Sequence, residues 1–343
     1  MKQSICFILL FSFFSIINHT LKAQFIWTEN IPLSNQLPSN EMTDIWQDKN
    51  GFVWIGTTNG LARLDGYQIK LFQNKYHHTQ QLTSNHITCI AETDSHIWAG
   101  TDHGLNLINK ITLNTEECPI KALRTAPIKA LCTDTSQNIW IASQELLYEV
   151  NLEKKYKKIY AFTNTQHKRQ TRINSIYRDR HQQIWICTPE EIFIKKGLSK
   201  NIRKLRLKSN PNTATVMEDK DGNYWLGTWG EGLWQIVRTD NGRMKSIHHP
   251  IKKHKISDTE KRFFSLAQDH DGYIWAMAYN GLYRFKPDRH GKPPVTAPLP
   301  PHIDADKMYT KIITGADGDL WLSSYDGGAL VSFRNDRITE FPI

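Results

Sequence analysis

Apolar and polar positions alternate along this chain in short runs that break off and restart at regular intervals. In residues 42–57 the pattern reads Met42-Thr-Asp-Ile45-Trp-Gln-Asp48, a polar turn Lys49-Asn-Gly51, then Phe52-Val-Trp54-Ile-Gly56-Thr57. A period of two is the signature of a half-buried strand. Asp, Asn and Gly between two such runs supply a tight turn, because Asp and Asn bond nearby backbone and Gly accepts positive φ. The segment returns around Trp98, Trp140, Trp185, Trp225, Trp275 and Trp321, at spacings of 44, 42, 45, 40, 50 and 46 residues counted from Trp54. Asp stands six residues before the Trp at Asp48, Asp134, Asp179, Asp219 and Asp269, and Gly three before it at Gly51, Gly222, Gly272 and Gly318. An aliphatic residue stands nine before it at Ile45, Leu131, Ile176, Val216, Leu266 and Ile312.

Small residues follow the Trp (Gly56-Thr57, Gly100-Thr101, Gly227-Thr228), then a second turn carrying Gly60, Gly104, Gly232 or Gly281. A third strand (Leu61-Ala-Arg-Leu64) and a fourth (Tyr67 to Phe72) complete the first copy. Four short antiparallel strands every 40–50 residues is the blade pattern of a β-propeller. The expected fold is therefore all-β, a single seven-bladed β-propeller of four-stranded antiparallel blades over residues 24–343. Its seven repeat tryptophans are expected to pack between blades, each burying roughly 150–250 Å². Copies three and four are degraded, with Ala142-Ser143 and Cys187-Thr188 after the Trp and no turn glycines. Two segments compete to complete the seventh blade, Phe25-Ile-Trp27 and Ile338-Thr-Glu-Phe341.

The N-terminus changes the setting. Lys2, an apolar run from Ile5 to Ile17 and the small residue Ala23 form the pattern of a secretory signal peptide over residues 1–23. That run is shorter than the roughly 20 residues that span a bilayer, so cleavage near Ala23 and a periplasmic or secreted product are expected, with no membrane span left after it. Cys89, Cys118, Cys132 and Cys187 remain, none spaced as C-x-x-C, and buried free thiols are expected inside strands.

Charge is regional. The net charge is +9, yet residues 153–208 alone hold 16 Lys/Arg against 4 Asp/Glu. Export and the lack of a nucleic-acid motif exclude nucleic acid as the partner. No G-x-S-x-G, H-E-x-x-H or G-x-x-x-x-G-K occurs. No catalytic residue, metal ligand or cofactor is expected, and the pairs His77-His78 and His248-His249 read as loop histidines.

The repeat resembles the regulator-propeller repeat of two-component sensors, roughly L-P-S-N, a strand, D-x-x-G-x-x-W-I-G-T and G-L. Leu37-Pro-Ser-Asn40, Asp48 to Thr57, Asn59-Gly-Leu61 and Asp65-Gly66 match it, and Leu82-Thr-Ser-Asn85 with Trp98-Ala-Gly-Thr101 repeats it. The resemblance implies the periplasmic sensor part of a Bacteroidetes-type hybrid two-component system, without kinase, ATP or DNA binding, and an oligosaccharide ligand, neutral or anionic. It also implies a signalling partner or a dimer. The candidate ligand residues are Trp229 and Glu231, in a turn that breaks the repeat, and Arg169, Arg172, Arg178 and Arg180, whose guanidinium forks suit carboxylates or sulfates. Trp46 and Tyr177 read as packing residues. A non-enzymatic binder is expected. The alternatives are a lyase-like enzyme, which needs His86, His103 and an acid to meet in one cleft, and a protein-interaction module.

Overall fold

The computed structural model describes residues 37–342 with short stretches left out, the longest being 76–80 and 250–261. The signal segment, Phe25–Trp27, His77–His78 and Arg169 lie outside the described residues. The strands pair into seven four-stranded antiparallel sheets, each built from four strands consecutive in the chain. The sheets occupy residues 42–72, 87–117, 130–161, 175–204, 213–249, 263–297 and 309–342, and are numbered here as blades one to seven. In six blades the side chains of all four strands are described, and in the seventh those of the two inner strands. Blade seven takes its outer strand from Arg337–Pro342, which pairs with Ala329–Arg334, so among the described residues no strand is exchanged between blades. Inner strands of neighbouring blades pack side by side, and that of blade seven lies against blade one.

Each repeat tryptophan lies on the second strand of its blade and is at most 1% exposed. The hydrophobic clusters are blade-to-blade contacts. Trp54 joins Ile87, Ile90 and Ile97 of blade two, Trp225 joins Phe263 and Ile274 of blade six, and Trp321 joins Met42, Ile45 and Val53 of blade one. The small residue two places after the Trp lets the next blade approach: a Cβ on Gly227 would lie 2.6 Å from the Phe263 carbonyl oxygen.

The repeated Asp does more than form the turn. Asp219 Oδ1 accepts the backbone N–H groups of Asp221 (3.0 Å) and Asn223 (2.9 Å), while Oδ2 accepts the Trp225 indole N–H at 2.8 Å. Asp48, Asp134, Asp179 and Asp269 hold Trp54, Trp140, Trp185 and Trp275 in the same way at 2.8–3.1 Å. The second copy is one residue short here, and the Thr93 hydroxyl accepts the Trp98 N–H at 3.1 Å. In the seventh copy the position is Gly315, and the Gln47 carboxamide of blade one fills the space a side chain would take.

Blades three and four depart from the others at their turns and inner strands. Where other copies place Gly, Gln137 and Gln182 hold φ values of 62° and 61°, a left-handed region that costs a residue with a Cβ about 1–2 kcal/mol. Their inner strands, Ala130–Thr133 and Ser175–Arg178, have four residues. The other five have six and carry a bulge after their first residue.

Cys89, Cys118, Cys132 and Cys187 are free. Burial pushes the thiols of Cys89, Cys132 and Cys187 up to about 12, which keeps them protonated and inert.

Two outcomes follow in urea unfolding. Asp219→Ala strips four bonds from a fully buried site and is expected to cost at least about 3 kcal/mol, whereas Thr93→Ala is expected to cost about 1–2 kcal/mol. Equal losses would show that the carboxylate is no more than a turn residue. Gln182→Gly relieves a left-handed backbone and is expected to raise the thermal midpoint by about 1–3 °C, and a fall would refute that account of the turn.

Candidate functional site

The chain direction gives the disc two different faces. The Asp turns join the first and second strands on the lower face. The second strands end on the upper face, where the outer strands also return before the next inner strand begins. The sequence-derived site residues divide between these faces. Trp229 and Glu231 lie in the upper turn of blade five, and the exposed Arg172 leads into the inner strand of blade four on the same side. Arg178 ends that inner strand, and Arg180 follows Asp179 in the lower turn.

The lower-face arginines are used by the scaffold. Arg180 Nε lies 3.3 Å from Glu218 Oε1 of blade five, and its backbone N–H bonds Glu218 Oε2 at 2.7 Å. Its guanidinium also donates to the carbonyls of Asp219 and Lys220. Arg178 bonds Gln182 at 3.4 Å within its own turn. The same stitch recurs where the Lys49 N–H meets Glu92 and the Lys220 N–H meets Gln268. Arg180 thus ties blade four to blade five, Arg178 bonds within its own blade, and both stand on the face opposite Trp229. Tyr177 and Trp46 are packing residues, bonded to the Glu218 N–H and the Glu92 carboxylate.

The upper face carries an arrangement that single-residue reading missed. The fourth residue after the repeat tryptophan, at the end of the second strand, is Thr58, Asp102, Gln144, Pro189, Trp229, Tyr279 and Tyr325 in blades one to seven. In five blades its N–H bonds the carbonyl of the residue just before the inner strand: Thr58 to Glu41, Asp102 to His86, Trp229 to Asn212, Tyr279 to Arg262 and Tyr325 to Met308, at 2.9–3.3 Å. These positions are therefore equivalent, and three consecutive blades place an aromatic ring there. Trp229, Tyr279 and Tyr325 are 39%, 52% and 39% exposed. The bulge residue of blade six, Phe264, meets Tyr279 edge-on at 6.1 Å. A β-bridge joins Trp229 to Arg262, so the backbone of this exposed arginine runs between the Trp229 and Tyr279 turns.

Local bonds fix the arc. Thr228 Oγ donates to the Gly232 carbonyl at 2.7 Å and accepts the Glu231 N–H at 3.0 Å. His248 bonds the Glu231 carbonyl at 2.7 Å and stacks on Trp234. Asn174 of blade four bonds Asn212 of blade five at 3.0 Å, which ties the Arg172 segment to the Trp229 turn. Blades one to four present polar groups at the matching turns, including Asn59, His103 and Glu145.

Chemically this is a stacking surface with a cation and a carboxylate beside it. Exposed rings suit the apolar faces of sugar rings, and Arg262, Arg172 and Glu231 suit their polar edges. His86 lies 4.0 Å from Asp102, both on the open surface of blade two, and His103 is exposed beside them. Among the described residues no group of three His, Cys, Asp or Glu could hold a metal ion. Among them, too, no helix is long and apolar enough to cross a membrane.

Residues 36–59 and 206–230 match the family model of the two component regulator propeller. Histidine kinase P4 of Formosa agariphila is 34% identical over 67 residues, which are 20% of this chain and 5% of that protein. The fold is similar to the extracellular domain of a putative one component system from B. thetaiotaomicron, with a TM-score of 0.66 and 21% identity over 88% of this chain and 39% of that one. It is also similar to virginiamycin B lyase from Staphylococcus aureus, with a TM-score of 0.61 and 13% identity over 83% and 92% of the two chains. The chain thus spans 5% of the curated relative and 39% of the one component domain. At these identities the two structures bear on the fold alone.

If Arg180 is a scaffold residue, Arg180→Ala is expected to lower stability by about 1–3 kcal/mol in urea unfolding, because the buried Glu218 loses its cation. Any ligand that titrates the upper face should then bind unchanged. A variant of full stability with weakened binding would restore Arg180 to the site.

Proposed function

We propose that this chain, whose propeller carries the two-component regulator repeat at residues 36–59 and 206–230, is an extracytoplasmic sensing domain that binds an oligosaccharide without turning it over. The aromatic arc of Trp229, Tyr279 and Tyr325 carries the reading. Large exposed apolar rings cost free energy in water, and a surface that aligns three of them at one turn position is suited to a ligand that covers them. The turns are held by backbone bonds, so little ordering opposes binding. The N-terminal segment supports export and cleavage near Ala23. Binding at the arc would be read by a partner or by a second copy of the chain.

The experiment is calorimetry on the purified chain with neutral and acidic oligosaccharides. At least one sugar is expected to bind and to be recovered intact. Trp229→Ala and Tyr279→Ala should each weaken it by about tenfold with unchanged thermal midpoints. Sugar consumed during the titration would make the protein an enzyme. Absence of binding by every sugar, alongside a saturable complex with a second protein, would make it an interaction module.

A further inference from the structure

The seven inner strands close around the propeller axis, and their first residues form the upper mouth of the channel between them. Register against the second strands aligns the blades. Asp44, Cys89, Thr215, Ser265 and Lys311 each pair with the residue two places after the repeat tryptophan, and a bulge residue stands just before each. In blade three Ala130 pairs with Ala142 in the same way. Lys129 therefore occupies the place of the bulge residue, with its N–H bonded to the Ala142 carbonyl at 2.8 Å.

Several side chains at these two positions serve the ring. Thr88 donates to the Ile128 carbonyl of blade three at 2.6 Å, Ser265 accepts the Ile312 N–H of blade seven at 3.1 Å, and Asp44 Oδ2 accepts the Ile90 N–H of blade two at 2.7 Å. Lys129 and Lys311 break that pattern with long cations. Lys311 Nζ lies 3.3 Å from Asp44 Oδ1 across the seam from blade seven to blade one, yet its side chain stays 41% exposed while that of Asp44 is 7% exposed. Lys129 is exposed, and among the described residues no carboxylate pairs with it. Both ammonium groups act on the Cys89 thiol of blade two. Burial, the largest cause, pushes that thiol up, the Thr88 hydrogen bond pulls it down, Asp44 pushes it up, and Lys311 and Lys129 pull it down. Cations from blades three and seven thus both come close to blade two.

The charge is concentrated at the upper end. Just outside these positions Arg172 of blade four and Arg262 of blade six are exposed at equivalent places, and Glu41 of blade one is the one acid there. Over the three positions Arg172, Arg262, Lys129 and Lys311 stand against Glu41 and the buried Asp44. The next position toward the lower face carries no charged residue in any blade. A recess lined by one sign of charge between low-dielectric walls focuses its field and concentrates counter-ions.

We propose that the upper channel binds a small oxyanion, an organic carboxylate or inorganic phosphate or sulfate, held by Lys129 and Lys311. An ammonium group serves such oxygens as a point charge with three donors. Asp44 keeps its bond to the Ile90 N–H and neutralises part of the Lys311 charge, so it sets the affinity of the site without closing it. No ring of the aromatic arc takes part, and either site can fail alone.

The test follows the thermal midpoint of the purified chain against sodium phosphate, sulfate and succinate, with ionic strength held constant by sodium chloride so that general screening does not change. A saturable rise with at least one of the three is expected. Succinate alone marks an organic carboxylate, and phosphate or sulfate alone an inorganic oxyanion. Lys129→Gln and Lys311→Gln should each weaken binding about threefold to tenfold. Asp44→Asn keeps an acceptor for the Ile90 N–H and removes the neutralising charge, so it should tighten binding by a similar factor. Trp229→Ala should leave it unchanged. Lys129 is exposed and unpaired, and if Lys311→Gln or Asp44→Asn does not fold, Lys129→Gln carries the test. Three results would overturn the proposal: no saturable rise with any of the anions, binding indifferent to Lys129→Gln, or weaker binding by a folded Asp44→Asn.

Discussion

The bond between a turn carboxylate and the indole six residues later is the interaction on which this propeller depends. One oxygen of Asp219 fixes the turn and the other fixes the ring of Trp225, and that ring fills the space against the next blade. Local turn chemistry and long-range packing are thereby one contact, repeated around the disc. A buried carboxylate is tolerated because every such oxygen has donors, which offsets the cost of removing it from water. The two departures obey the same demand. Thr93 supplies a hydroxyl where the turn is shorter, and Gln47 reaches from blade one to fill the space at Gly315.

This economy divides the two faces. Scaffold bonds crowd the lower face, where the side chains of Glu92, Glu218 and Gln268 take up backbone donors from the blade before. The upper turns need only a hydroxyl or a small residue to close, as Thr228 does at Gly232. The residue that follows is free to vary, and it varies from Thr58 through Pro189 to Trp229. Ligand chemistry has room to develop there without disturbing blade packing.

The same division explains what could be read from the chain. The blade pattern was legible because strand period, turn residues and the Trp spacing all repeat, and the expected inter-blade role of the tryptophans is what the packing shows. The bond from Asp to indole was hidden, since a residue that makes turns needs no second role to explain its recurrence. The arginine cluster divides between the faces for a geometric reason. Arg172 and Arg178 are six apart in sequence, but the four-residue strand Ser175–Arg178 lies between them and carries them to opposite faces. Tyr279 and Tyr325 were missed because neither departs from the composition of a loop. Only aligning the fourth residue after each repeat tryptophan puts them in one row with Trp229, and that alignment needed nothing beyond the repeat itself.

Blades three and four show where such a ring can change. Trp140 and Trp185 remain buried with their Asp partners, so the wedge that each blade must supply is kept. The turn glycines are gone, and Gln137 and Gln182 carry the left-handed backbone instead. Departures therefore gather at the turns and at the shortened start of the inner strands, and the Asp–Trp pair is kept. Basic residues accumulate on the outer strands without loss of closure, because the outer strands face solvent and the inner strands hold the circle. A propeller built this way can keep one surface for the aromatic arc and give over another to charge, since neither surface contains the interaction that holds the fold together.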